Sequence, residues 1–319
     1  MKAAVVTAFD TPPRYSEAPA PTPTDPDEII VDVIAAGLHP RVRSQADGSH
    51  YTSTGALPLI PGIDGIGRDA DGGLRYFILD DTNHGSMAEQ TVIDTRRSFP
   101  LPEHADPVAV AAALNPAMAS WMALRRRIEF SPGQRVLVLG ATGSSGRMAV
   151  QVARRLGAGQ IVAAARNADL LEKLPELGAT DTARLDDADQ LGRAAAEVDV
   201  VLDFLWGEPS AKAMVAVLTA RPDRGKPLSW IQIGSVAGLT APIPSAALRS
   251  SRLQIVGSGQ GSLERSDYLT ELPQLVREIA DGEFVVDAKP VPLEQIEQAW
   301  TAPANGAQRI VITPAAIRS

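Results

Sequence analysis

Val136-Leu137-Val138-Leu139-Gly140-Ala141-Thr142-Gly143-Ser144-Ser145-Gly146 is the stretch that decides the fold. An apolar run suited to a buried strand feeds a glycine-rich turn, and a helix follows at once. Gly143 and Gly146 let the backbone come close to a pyrophosphate. The helix N-terminus adds free N–H groups and a positive dipole end. Glycine spacing alone is a weak sign; the strand before it and the amphipathic helix after it make it specific. In that helix Met148, Ala149, Val152, Ala153 and Leu156 share one face, the spacing of a helix packed on a sheet.

Strand and helix alternate outward from this unit. Residues 116–127 read as a helix, 161–165 as the second strand, 170–177 as a second helix closed by Gly178. Residues 198–204, 230–234 and 254–257 read as further strands. This order predicts an α/β fold, a doubly wound parallel sheet of the Rossmann type over residues 116–257. The flanks differ. Residues 2–7, 28–36 and 87–93 read as strands, and the prolines between 12 and 26 read as a rigid connector. The tail gives helices over 268–281 and 293–300 and a closing strand over 309–313. The expected plan is a strand-rich domain from 1–115 and 258–319, with the dinucleotide domain inserted between.

Composition narrows the function. The chain has 319 residues, 38 acidic against 30 basic, a net charge of −8, and no cysteine. An acidic chain whose longest basic block is Arg125-Arg126-Arg127 is a poor partner for nucleic acid, and that block reads as a solvated helix end. The lack of cysteine excludes disulfides and cysteine-ligated metals, and fits a cytoplasmic protein. The N-terminus lacks the apolar core of a signal peptide. The apolar run 108–114 falls far short of the roughly 18 residues of a membrane span.

The end of the second strand, Ala163-Ala164-Ala165-Arg166-Asn167, selects the cofactor. A site for NAD places Asp or Glu there to bond the ribose hydroxyls. This chain places an arginine, whose planar fork suits a 2′-phosphate. NADPH is therefore the expected cofactor. Asp169, three residues on, reads as a helix cap.

The sequence resembles the medium-chain dehydrogenase/reductase superfamily in its zinc-free, quinone oxidoreductase-like branch. The resemblance rests on Lys2-Ala3-Ala4-Val5, Ala36-Gly37-Leu38-His39-Pro40, residues 59–67, Gly85-Ser86-Met87-Ala88-Glu89-Gln90, residues 131–146 with 149–153, residues 199–203 and residues 231–235. It implies a GroES-like catalytic domain, a small-molecule substrate and a homodimer. Zinc-dependent relatives carry a ligand Cys beside the Gly37-type glycine and Gly-His-Glu at residues 62–64. This chain has His39, Ile63 and Asp64, too few ligands for a catalytic zinc, which takes about three.

Without a metal, the chemistry left is hydride transfer to an electrophilic acceptor, a quinone or an activated double bond such as an enone. Tyr51 is the first candidate to donate the proton or hydrogen-bond the carbonyl; the alternative is a loop tyrosine with a wet hydroxyl. His39, beside the lost zinc-ligand position, is the second. Asn115 is the third, with helix capping as its competing role. Ala141, Thr142, Gly143, Ser144, Ser145, Gly146, Arg166, Gly234, Ser235, Ser258 and Gly259 are the candidate cofactor contacts. Trp206 reads as a cofactor neighbour or a packing residue.

Other readings fail on residues. No tyrosine has lysine four positions on, so a short-chain reductase is excluded. Arg147-Met148 follows Gly146 where a phosphate-loop NTPase needs Lys-Ser/Thr, and Gly-x-Ser-x-Gly of a serine hydrolase is absent. Two rivals stay open: a biosynthetic enoyl reductase, and an NADPH-binding sensor or structural protein with little turnover.

Overall fold

The structure, a computed structural model, describes residues 1–50, 52–302 and 308–314. The chain divides into two compact units, Met1–Asn115 with Leu272–Ser319, and Pro116–Glu271.

In the first unit, β1 (Lys2–Val5) pairs antiparallel with β2 (Arg14–Glu17). The stretch read as a proline connector thus contains a strand. Pro12 and Pro13 precede β2 and Pro19 follows it, so no proline interrupts its ladder. The main sheet of the unit uses β3 (Glu28–Gly37), β4 (Asp64–Arg68), β5 (Leu74–Ile78), β6 (Gln90–Asp94) and β7 (Ser98–Pro100). Helix α1 (Pro40–Ala46) follows β3 directly.

In the second unit, β8 (Arg135–Leu139), β9 (Gln160–Ala165), β10 (Asp181–Arg184), β11 (Val200–Asp203), β12 (Leu228–Gln232) and β13 (Leu253–Gly257) form one sheet in the order β10-β9-β8-β11-β12-β13. Every pairing is parallel. The order runs outward from β8 on one side, then restarts at β11 on the other. That reversal between β8 and β11 is the doubly wound switch point. Leu137, Leu139, Val162, Val201, Met214 and Trp230 fill the core on this sheet.

The tail returns to the first unit. There β14 (Ala288–Pro292) pairs with β15 (Arg309–Thr313), and β15 pairs with β3 through Val311–Gly37 and Ile312–Ala36. Val33, Ile63, Phe77, Met87, Ile296 and Ile312 close its core.

Several expectations change. Helix α2 begins at Pro107, not 116, and runs to Met122 with Pro116 inside it; a π-helical turn carries it to Arg127. The full 107–127 helix is long and apolar enough to cross a membrane by length and composition, but most of it is buried within the protein, as in a core helix. The helix read over 170–177 is two short ones, Ala168–Leu171 and Leu174–Leu177, because Pro175 cannot continue the first. Asn167, not Asp169, is the N-cap, its side chain accepting from Leu170 N–H. The arginines that end this helix are in part exposed, as expected of a solvated helix end, but they are also engaged. Arg125 and Arg126 pair with buried Glu271, which also accepts from Trp121 Nε1, and Arg127 donates to the Gly257 and Ser262 carbonyls. These contacts keep residues 258–271 with the second unit, beyond the expected return at 258.

Candidate functional site

The turn between β8 and helix α3 (Ser144–Arg155) is built by close backbone approach. Gly140 and Ala141 both donate N–H to the Ala164 carbonyl of β9, which holds the turn on the sheet. A Cβ on Gly146 would lie 2.2 Å from the Gly140 carbonyl oxygen, so only glycine lets α3 seat this close. Gly143 is the N-cap of α3 and brings no side-chain cap to the first turn. A Cβ there would meet only the Gly140 oxygen, at 3.5 Å. The helix start is therefore open on the side where an anion would approach, and a pyrophosphate group fits the cradle. Thr142, Ser144 and Ser145 lie half-buried around it, while Ala141 is buried beneath.

Arg166 follows β9, the strand beside β8, and its side chain is exposed. The neighbouring strand β10 brings a carboxylate that residues 163–167 do not supply. Asp186 is gripped in a bidentate pair by Arg184 at 2.9 and 2.6 Å. Arg184's hydrogen bonding holds the Asp186 carboxyl below its ordinary value, with a smaller pull from Arg166. This edge of the sheet thus carries two arginines and one carboxylate already bound to one of them.

On the other side of the switch point, Asp203 ends β11 and is wholly buried. Its Oδ1 accepts from Leu205 N–H at 2.9 Å, Trp206 N–H at 3.0 Å and Ser210 Oγ at 2.8 Å. Its Oδ2 accepts from Trp230 Nε1 at 2.9 Å. Sequence reasoning took Asp203 only as part of a strand; a lone carboxylate closing the run Val-Val-Leu-Asp was the signal. Gly234 and Ser235 follow β12, with Gly234 N–H bonded to the Asp203 carbonyl. Ser258 and Gly259 follow β13, the edge strand. The candidate contacts of the second unit therefore share the C-terminal edge of one parallel sheet. Ser258 and Gly259 are the most distant from the turn, three strands or about 14 Å away.

The catalytic candidates do not form one cluster in the described residues. Tyr51 lies outside them. Asn115 sits half-buried in the middle of α2, so it caps nothing: the helix already begins at Pro107. His39 is buried at the start of α1, where Pro40 opens the helix. Its Nε2 lies 3.1 Å from Asp64 Oδ1, and Tyr76 donates its hydroxyl to Asp64 Oδ2 at 2.8 Å. Burial pushes His39 below its ordinary 6.5, and the Asp64 hydrogen bond pulls it only partly back. The contact is a buried hydrogen bond in a setting that disfavours the imidazolium. Arg309, buried in β15, donates to the Leu38 carbonyl at 3.2 Å while its Nε has no partner among the described residues; burial lowers its guanidinium to about 10. Arg309 keeps its charge at neutral pH, while burial disfavours a charge on His39. Tyr76 and Arg309 were not anticipated, since their approach depends on the β4–β5 and β3–β15 registers.

Among the described residues no three histidine or carboxylate side chains converge as a metal cluster would require. Both carboxylate oxygens of Asp64 are already engaged by His39 and Tyr76.

A parallel sheet with a glycine-cradled helix start at its switch point, joined to a strand-rich unit, defines a nucleotide-dependent oxidoreductase fold. No family profile matches the chain. A probable NADPH-dependent quinone reductase of Emericella nidulans is 31% identical over 98% of this chain and 100% of its own. The quinone oxidoreductase of Thermus thermophilus, solved also in complex with NADPH, superposes with a TM-score of 0.83 at 25% identity, over 98% of this chain and 100% of that one. An NADPH-dependent alkenal/one oxidoreductase of Arabidopsis thaliana is 28% identical over 48% of this chain and 44% of its own. The chain belongs to the quinone oxidoreductase-like reductases of the medium-chain dehydrogenase/reductase superfamily.

Proposed function

We propose that the protein is an NADPH-dependent reductase that transfers hydride to a quinone or an activated alkene such as an enone, without zinc. The observation that carries the reading is the phosphate cradle at Gly140–Gly146 with Arg166 beside it. The relatives from Emericella, Thermus and Arabidopsis support it by the cofactor and acceptors in their names.

When bound, NADPH would supply the hydride. The residues of this chain do the rest. Gly143 and Gly146 admit the pyrophosphate to the start of α3. Arg166, with Arg184 near it, receives the 2′-phosphate; Arg184 can do so only by sharing or releasing Asp186. Gly234, Ser235, Ser258 and Gly259 line the same sheet edge. Tyr51 or a water supplies the proton that completes reduction. His39, neutral and tied to Asp64, keeps the old zinc-ligand position polar without charge, and Asn115 offers an amide for hydrogen bonding. The donor set supports the zinc-free reading: His39 and Tyr76 already engage the Asp64 oxygens, and no third ligand stands beside them among the described residues.

The test is a panel of quinones and enones with NADPH or NADH, followed by loss of reduced-cofactor absorbance, with and without a strong zinc chelator. Turnover with NADPH on quinones or enones, unchanged by chelator, is expected. NADPH binding without oxidation of any acceptor favours a cofactor-binding sensor instead; abolition by chelator overturns the metal-free reading.

A further inference from the structure

Trp206 stands out by its backbone. It is the only non-glycine described residue with a positive φ, at 55° with ψ −165°. That region is essentially reserved for glycine, and residues held there by their surroundings gather at functional sites. The surroundings are visible. Asp203 Oδ1 holds the N–H groups of Leu205 and Trp206. Across the loop, Ala237 N–H donates to the Leu205 carbonyl at 2.9 Å. A Cβ on Gly234 would lie 2.6 Å from the Phe204 carbonyl oxygen, so the loops after β11 and β12 touch through their backbones. On the other side, a Cβ on Gly140 would lie 3.0 Å from Leu205 Cδ2. The 204–207 loop is thus wedged between the phosphate turn and the loop after β12, at the switch point. Trp206 remains half-exposed there. A packing residue would gain nothing from a conformation that glycine adopts more easily.

We infer that Trp206 is held in this conformation to place its indole against the nicotinamide half of the bound dinucleotide. The assignment to that half follows from the topology. The β8-β9-β10 side carries the phosphate turn and the adenosine-ribose edge, and Trp206 follows β11, which opens the other half. A flat, amphipathic ring suits that neighbour, since it stacks on a heteroaromatic face and keeps an N–H for a polar partner. The inference rests on the cofactor reading above.

The test uses the full chain and two truncating variants, Trp206→Gly, which takes this backbone conformation without strain, and Trp206→Asn, which removes the ring but not the strain, with Trp206→Phe as the conservative control. Melting temperature is read first, then affinity by calorimetry for NADPH and for adenosine 2′,5′-bisphosphate, which lacks the nicotinamide half. The expected result is a melting point equal to or above wild type for W206G. The NADPH Kd should rise about tenfold, the scale of one lost stacking contact. The bisphosphate Kd should move by less than about twofold, and W206F should retain most of the NADPH affinity. Wild-type-like NADPH binding by W206G overturns the inference while leaving the cofactor reading intact. Unfolding of both W206G and W206N also overturns it, because the indole would then be packing. Failure of the wild-type protein to bind either ligand overturns the cofactor reading itself.

Discussion

At the scale of single residues, the two glycines of the turn do different work, and the difference is measurable. Gly146 has no room for a methyl group: the nearest atom, the Gly140 oxygen, would be 2.2 Å away and belongs to backbone. Gly146→Ala must push α3 off the turn, and a loss of about 1–3 kcal/mol in urea unfolding is expected. Gly143 has φ −75° and a nearest neighbour at 3.5 Å, so Gly143→Ala should leave stability within about 0.5 kcal/mol. Its methyl would instead stand where the pyrophosphate approaches, and NADPH affinity should fall. Calorimetry on the pair separates packing from binding; equal effects on both properties would contradict this division. Arg166 belongs to the same scale. On the proposal that Arg166 grips the 2′-phosphate, Arg166→Ala should cost NADPH about tenfold or more in Kd and NADH little. Equal losses with both cofactors would overturn the preference for NADPH.

At the scale of elements, Asp203 fastens the end of β11 to the start of the helix Gly207–Ala220 and to Trp230 in β12. Asp203→Asn preserves the shape but turns one acceptor into a donor. If Oδ1 keeps its three bonds, the new amide faces the Trp230 N–H, donor against donor. A loss of about 1–3 kcal/mol is expected, read by the urea midpoint and by Trp230 emission. An unchanged midpoint would mean that the carboxylate is not the fastening. Such fastenings are the part of the fold that the sequence hides. The parallel strands were legible, because buried runs such as Val-Leu-Val-Leu and Val-Val-Leu have a period and composition of their own. β10, with the polar sequence Asp-Thr-Ala-Arg, was not, since an edge strand need not be apolar. The first half of α2 was missed for the opposite reason. Val110 to Leu114 is buried all round, so no amphipathic stripe marks it, and Pro116 looked like a beginning instead of an interruption. The phosphate turn was legible because its chemistry is local. The His39–Asp64–Tyr76 contact was not, because Tyr76 reaches Asp64 only through the register of β4 on β5.

At the scale of the whole molecule, buried His39 at the start of α1 makes stability depend on pH in a defined sense. The groups facing His39 are Asp64 and, through it, Tyr76, with Arg309 from β15 and Arg41 from α1 acting on its charge. Burial is the largest influence and disfavours the imidazolium, so the folded-state pKa lies below the 6.5 of the unfolded chain. Above that value neither state protonates the ring, and the stabilisation is fully present. As pH falls through 6.5 the unfolded chain takes up a proton that the folded protein refuses, and stability declines until the folded-state pKa is reached. The slope for one proton is about 1.4 kcal/mol per pH unit. His50 is shifted in the same direction by partial burial, so the wild-type curve alone does not isolate His39. His39→Asn does, because it keeps a donor for Asp64 and removes only the titration. Between pH 7.5 and 5.5 the stability read from the urea midpoint should fall further in wild type than in H39N. Parallel curves would show that His39 binds its proton as readily in the folded protein as in the unfolded chain. The neutral imidazole assigned to the old zinc-ligand position would then have to be abandoned, and with it the picture of a polar but uncharged group standing there.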